Sequence, residues 1–268
     1  MFFAYRLLYG LVLFVLLPFE YIKRPKPLRP RWLKERLGYA RHSPLRGNRS
    51  LWIHAVSVGE VIAAVPFISE LKLKYPSLKI FLSTVTDTGQ QVAQNRVSGL
   101  ADIVYLPFDL ISAVERFVKN IRPGIFIAIE TELWPGIFHV LREKGIPILV
   151  FNGRLSENSF RGYRKVRFFI KDILKCVDLF CMQELIYAER IQVLGVDEER
   201  IRVTGNFKFD IKPPGSVPEW SRFLAHPIVL AGSTHEGEEE LMITVFEGLR
   251  KEFPDMNLVV APKHPARL

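Results

Sequence analysis

From Leu51 onward, short runs of β-branched and aromatic residues alternate with longer stretches whose apolar positions recur every three or four residues. The short runs predict strands over 51–55, 79–83, 103–105, 125–129, 147–151, 179–182 and 202–203. The longer stretches predict helices over 60–75, 88–97, 110–120, 134–144, 162–174 and 184–194. In the first of these helices Val61, Val65, Ile68 and Leu71 fall on one face, as packing against a sheet requires. Alternation of this kind is the signature of βαβ units, so the expected class is α/β with a parallel sheet. Pro213, Pro214, Gly215 and Pro218 break any regular element over 212–219, which reads as a linker. Beyond it the pattern resumes with a strand at 228–231, a helix at 238–253 and a strand at 258–261. One βαβ unit cannot cover both faces of its sheet, so this second domain is expected to be incomplete over 220–268.

The amino terminus breaks the alternation. Residues 7–19 form an uninterrupted apolar run of about thirteen, short of the ~20 that cross a bilayer. Counting residues 1–22 with a snorkelling Arg6 brings the segment close to that length. Pro18, Phe19, Glu20 and Tyr21 offer no small-residue cleavage site, which speaks against a removed signal peptide. The next stretch, KRPKPLRPRWLKER, reads as prolines and cations rather than a packed element. The expectation is therefore an uncleaved anchor at 1–22, spanning or deeply inserted, followed by a basic juxtamembrane segment at 23–50.

Charge sharpens that picture. The chain carries a net charge of +9, and residues 1–50 hold eleven of its Lys and Arg against two acids. The remaining residues are balanced at 26 of each sign, so no basic stripe marks the globular part for nucleic acid. A basic flank stays cytosolic by the positive-inside rule and attracts anionic lipid, at ~1 kcal/mol per cation near the surface. Two cysteines, Cys176 and Cys181, are too few for a disulfide framework and lack CxxC spacing.

Five segments carry candidate chemistry. Glu60 follows the first strand in AVSVGE, at the carboxyl edge where open α/β sheets bind ligands. A helix amino terminus favours its ionised form, which suits a general base, although an ordinary first-turn acid reads the same way. Glu130 in ETELWP ends an apolar strand directly before Pro135, with a plain helix cap by Thr131 or Glu132 as the competing reading. Lys208 lies between aromatics in GNFKFD, placed either to meet an anion or to cover apolar surface with its stem. Gly232 and Ser233 in GSTHEG precede a helix and offer either an anion site or a simple cap. Asn152-Gly153-Arg154 with the basic run 161–171 suits an anionic acceptor or a solvated helix face. The six histidines are scattered, with no HExxH, and no Asp-X-Asp element occurs, so no metal is expected.

In combination and order, HAVSVGE, ETELWP, NGRLSENSFRGYRK, GNFKFD, AGSTHEGEE and APKHPARL resemble the Kdo (3-deoxy-D-manno-octulosonic acid) transferases of lipopolysaccharide synthesis. The resemblance implies a GT-B fold, with a Rossmann-like acceptor-side domain at 51–211 and the start of a nucleotide-sugar domain after it. It implies an inverting transfer from CMP-Kdo to lipid A precursor, without a metal, at the cytoplasmic face of the bacterial inner membrane. It further implies Glu60 as base, Glu130 and Lys208 as transition-state stabilisers, and Pro262 and Lys263 as CMP contacts, with Gly232 and Ser233 as phosphate neighbours. Two rival readings stand beside it: a GT-B transferase with another donor, and a membrane-attached binding protein without catalysis.

Overall fold

The computed structural model describes residues 2–40, 49–210, 215–224 and 226–263, without the side chains of Lys208 and Asp210. The chain divides between residues 211 and 212 into two compact units. The first holds seven strands: β1 (Ser50–His54), β2 (Ile80–Thr84), β3 (Asp102–Tyr105), β4 (Pro123–Ile129), β5 (Ile148–Gly153), β6 (Leu179–Met182) and β7 (Ile201–Val203). All pair in parallel in the order β3-β2-β1-β4-β5-β6-β7, the α/β class that the alternating pattern predicts. Its helices are α1 (Phe2–Lys23), α2 (Arg29–Arg36), α3 (Val58–Lys74), α4 (Asp87–Val97), α5 (Ile111–Ile121), α6 (Pro135–Glu143), α7 (Glu157–Lys165), α8 (Arg167–Leu174) and α9 (Leu185–Val193).

Successive strand side chains point to opposite faces, and this splits the core in two. Ile53, Leu82 and Ile127 pack with Val61, Ala64 and Ile68 of α3 and Ala93 of α4. Trp52, Phe81 and Phe126 pack on the other side with Phe117 of α5 and Phe138 of α6. Trp52 is wholly buried, its ring 4.8 Å from Phe117 and 4.6 Å from Phe126. Strand order reverses between β1 and β4, and there the crossovers change face. Such a switch point leaves a crevice beyond the carboxyl ends of the two strands.

The amino-terminal fifth departs from expectation. Residues 29–36 form a packed helix, and Trp32, Glu35 and Arg36 are buried. Pro30 sits in the first turn, where its missing N–H costs nothing, so the proline that reads as a breaker starts the helix. Glu35 accepts a 2.8 Å hydrogen bond from the backbone N–H of Tyr105 and so covers the edge strand β3. The Arg36 guanidinium donates to the Leu106 carbonyl at 2.7 Å and lies 4.4 Å over the Phe108 ring. Arg24 lies 4.0 Å over Trp32. Several of the cations that read as a lipid-facing flank are thus turned inward onto aromatic faces.

Helix α1 lies along the same side. Tyr9, Leu13, Leu17 and Tyr21, spaced four apart, pack toward Trp32, Tyr105 and Phe108. Phe3, Leu7, Leu11, Phe14 and Phe19 on other sides of the helix remain exposed. The expected single helix at 162–174 is two, α7 and α8, meeting at Val166, whose φ of −114° interrupts the turn. Ser156 starts α7 earlier than apolar periodicity shows, by accepting a hydrogen bond from the Ser159 N–H at 3.2 Å.

The second unit contains β8 (Ile228–Thr234), α10 (Glu238–Leu249) and β9 (Asn257–Pro262), with the two strands parallel. Leu230, Leu241 and Phe253 of this unit are exposed.

Candidate active site

Glu60 and Glu130 follow β1 and β4, the neighbouring strands at the switch point, and this adjacency brings together two residues 70 positions apart. Ser57 caps α3, its hydroxyl donating to Glu60 Oε1 at 2.8 Å, while Glu60 Oε2 accepts from the Val56 N–H at 2.7 Å. This is a capping box closed by a carboxylate. Unlike the usual surface example, Glu60 is 6% exposed. Burial raises its pKa above the ordinary carboxylate range, the hydrogen bonds from Val56 and Ser57 pull it back, and the charge of Glu130 raises it again.

Glu130 takes a left-handed backbone conformation, with φ of 62°, and its N–H donates to the Phe151 carbonyl at 2.8 Å. For a non-glycine residue that conformation costs roughly 1–2 kcal/mol, and it sits where the chain leaves β4 for α6. Glu132 completes the group. Its pKa is pushed up to about 7 by burial first, then by the charges of Glu60 and Glu130, with the Trp134 indole offsetting part of the rise. Three carboxylates therefore share one electrostatic field at one strand edge. They do not form a metal-ligand grouping, and none is present among the described residues.

The cap that competed with Glu130 for the ETELWP segment is supplied by neither Thr131 nor Glu132. Thr131 Oγ1 instead donates to the Arg154 carbonyl at 2.6 Å and accepts from the Arg154 N–H at 3.0 Å, clasping two loops together. The start of α6 is capped from another loop by Asp109, which accepts from the Gly136 N–H at 2.8 Å and the Ile137 N–H at 2.6 Å. Beside this loop stands His54, fully buried and held neutral by burial, with a pKa lowered to about 3. Its ring meets Trp134 edge to face at 5.9 Å.

The loop bearing Lys208 is fixed to the same edge. Asn152, buried and with φ of 56°, accepts a 3.0 Å hydrogen bond from the Phe207 N–H. Gln183 Nε2 donates to the Asn152 carbonyl at 2.9 Å, and Phe207 lies 5.8 Å from the Phe67 ring. The Lys208 side chain lies outside the described residues. Asn152, whose segment reads in the sequence as meeting an anionic acceptor or as a solvated face, is buried and holds that loop from within. Gly153 lies beside it, where a Cβ would come 2.6 Å from Met182 Sδ and require that side chain to shift.

In the second unit, Gly232, Ser233, Pro262 and Lys263 gather at the carboxyl edge of β8 and β9. Gly232 pairs with Ala261, and the Lys263 N–H donates to the Thr234 carbonyl at 3.1 Å. The turn before α10 is already occupied by its own acids. Glu238 accepts from the His235 N–H at 2.7 Å, and Glu239 accepts from the Thr234 hydroxyl at 2.7 Å. Asp109, Glu132 and Asn152 are the site residues that the sequence reading missed or gave other roles. A buried Asp outside any helix carries no local signal of trans capping.

A parallel sheet with carboxylates at its switch point defines the class: an α/β protein with a doubly wound parallel sheet. Among solved structures, the UDP-GlcNAc 2-epimerase of Neisseria meningitidis is similar, with TM-score 0.56 and 14% identity over 80% of this chain and 65% of that one. The glycotransferase of kitacinnamycin is similar at TM-score 0.50 and 13% identity, covering 79% of this chain and 65% of that one. These likenesses concern the fold. Residues 31–211 match the family described as 3-deoxy-D-manno-octulosonic-acid transferase (kdotransferase), and the chain belongs to that family. The 3-deoxy-D-manno-octulosonic acid transferase of Haemophilus influenzae is 33% identical over 88% of this chain and 56% of its own length. A bifunctional glycosyltransferase/methyltransferase of Fusobacterium nucleatum is 33% identical over 84% of this chain and 36% of its own length. The Rickettsia felis transferase is 30% identical over 81% of this chain and 47% of its own length. The chain thus spans about half the length of the curated relatives it matches.

Proposed function

We propose that this chain contributes the acceptor side, and the start of the donor side, of an inverting transferase that moves Kdo from CMP-Kdo to a lipid A precursor. The supporting observation is the meeting of Glu60, Glu130 and Glu132 at the β1–β4 switch point, in a chain of the Kdo transferase family. Glu60 accepts the proton of the acceptor hydroxyl. The hydroxyl oxygen forms a bond to the anomeric carbon, the bond from that carbon to the CMP phosphate breaks, and its electron pair leaves with CMP. Attack opposite the leaving group inverts the centre. Glu130 stabilises positive charge developing on the sugar, and Lys208 meets the negative charge of phosphate or sugar carboxylate. Glu132 holds its proton near neutral pH, so the site carries less negative charge when an anionic donor arrives. Gly232, Ser233, Pro262 and Lys263 contact CMP. We assign no metal to the step.

Membrane attachment is supported by α1, which among the described residues is the one helix long and apolar enough to cross a bilayer. Its docked tyrosine and leucine stripe, together with the exposed Phe3, Leu7, Leu11 and Phe14, favours a helix lying in the plane of the surface rather than crossing it. Held there on the cytoplasmic face, in contact with anionic lipids, the enzyme gains effective concentration toward a lipid acceptor. The test uses the full-length protein in lipid vesicles containing lipid A precursor. Product formed with CMP-Kdo and not with UDP-sugars supports the proposal. Equal labelling by UDP-sugars overturns the donor, and binding of both substrates without product overturns catalysis.

A further inference from the structure

Asp109 is a buried carboxylate with three hydrogen-bond donors on its two oxygens. It is 1% exposed and follows β3 at the carboxyl edge of the sheet. Its Oδ1 accepts from the Ile137 N–H and its Oδ2 from the Gly136 N–H, which meets two of the unpaired N–H groups opening α6. Trp134, the residue at the cap position, makes no side-chain cap of its own. Gly136 is demanded by this contact, since a Cβ there would lie 2.6 Å from the Asp109 carbonyl oxygen and 2.7 Å from Oδ1. The chain entering this cap is the loop from Glu130 to Trp134, so the cap fixes the far end of the segment that carries Glu130 and Glu132.

The same carboxylate also receives the anchor helix. The Tyr5 hydroxyl donates to Asp109 Oδ2 at 2.6 Å, and the Asp109 N–H donates to the Tyr9 hydroxyl at 3.1 Å. The Phe2 ring lies 4.2 Å from His139 of α6 in a tilted arrangement, and Tyr5 lies 6.0 Å from Phe169 of α8. A helix whose only task was to hold lipid would need none of these polar contacts, and a buried carboxylate that only capped α6 would not need a tyrosine from position 5. Burial raises the pKa of Asp109, while the Tyr5, Gly136 and Ile137 donors act against that rise and favour the ionised acceptor.

We infer that Tyr5 and Asp109 form a positioning couple through which the seated anchor helix holds the 130–134 loop, and with it Glu130 and Glu132, in place. Neither residue touches substrate. Their part in transfer rests on the function proposed above, whereas their hold on the loop does not. Three measurements on the full-length protein in phosphatidylglycerol-containing vesicles test the couple, with Tyr5→Phe as the mild variant and Asp109→Asn as the severe one. Vesicle co-sedimentation should be unchanged for Tyr5→Phe, because its exposed apolar neighbours remain. Amide exchange over residues 130–137 should quicken on the order of tenfold, with β1 and β4 unaffected. With CMP-Kdo and lipid A precursor, kcat should fall on the order of tenfold while both KM values stay within about twofold. Exchange at the unaltered rate in Tyr5→Phe, or faster exchange spread through the whole sheet, overturns the couple. Faster local exchange with unchanged kcat keeps the hold on the loop and overturns its part in transfer. Failure of the unaltered protein to transfer Kdo would overturn the functional reading instead, and exchange would still decide whether the anchor holds the loop.

Discussion

Helices α3 and α10 each open with an acid that turns back on the helix start, behind a Ser57 cap in α3 and a left-handed Gly237 in α10, yet they end in opposite electrostatic circumstances. In α3 the capping acid is Glu60, buried and within the field of Glu130 and Glu132. In α10 the capping acid is Glu238, exposed, bonded to its neighbour's N–H and with no charge partner outside its own turn among the contacts described. The difference comes from the sheet. The strand beside β1 delivers a second acidic loop to the edge where α3 begins. In the second unit, among the described residues, β8 pairs with β9 and no second acidic loop reaches the start of α10. A helix-opening acid is solvated in one place and part of a carboxylate cluster in the other, and long-range strand order decides which.

This contrast can be broken in three places. The largest effect is expected at Glu60: Glu60→Gln keeps a hydrogen-bonding cap but cannot take a proton, so Kdo transfer by the full-length protein should fall on the order of 10²–10⁴-fold, with thermal stability nearly unchanged. A steady-state assay beside a melting curve separates the two. Next comes Gly136→Ala at the trans-capped start of α6. Its new Cβ would collide with the Asp109 backbone oxygen, and a loss of about 1–3 kcal/mol in denaturant unfolding is expected. The smallest effect belongs to Glu238→Gln, where an exposed acid is replaced at a self-contained cap. Stability should change by less than about 1 kcal/mol. An effect at Glu238 matching that at Glu60 would erase the distinction between the two helix starts.

Much of the first unit was legible in the chain. The predicted strand at 179–182 matches β6 in both bounds, and the other six strands are placed within a residue or two, because a parallel sheet buried on both faces writes itself as continuous apolar runs. Glu60 and Glu130 were also legible as strand-end acids, but their mutual charge was not, since it depends on β1 pairing with β4. The helix α2 was hidden because cations and prolines signal solvent when read locally. The aromatic faces of Trp32 and Phe108, over which Arg24 and Arg36 lie, are brought together only by folding. Asp109 was silent for the same reason, its four partners lying 27, 28, 100 and 104 residues away.

The central claim, that carboxylates from separate strand ends share one field, is tested most directly by titrating Glu132 with ¹³C-labelled carboxyl groups in the unaltered protein and in Glu130→Gln. The account predicts a Glu132 pKa of about 7 that drops when the Glu130 charge is removed, while burial and Glu60 still hold it above the ordinary carboxylate value. The sign carries through to stability. A carboxyl whose folded pKa is raised binds its proton more tightly when folded, so its contribution is complete below about 4.5 and fades as the pH rises through about 7. A Glu132 that titrates near 4.5 in both proteins would contradict the shared field.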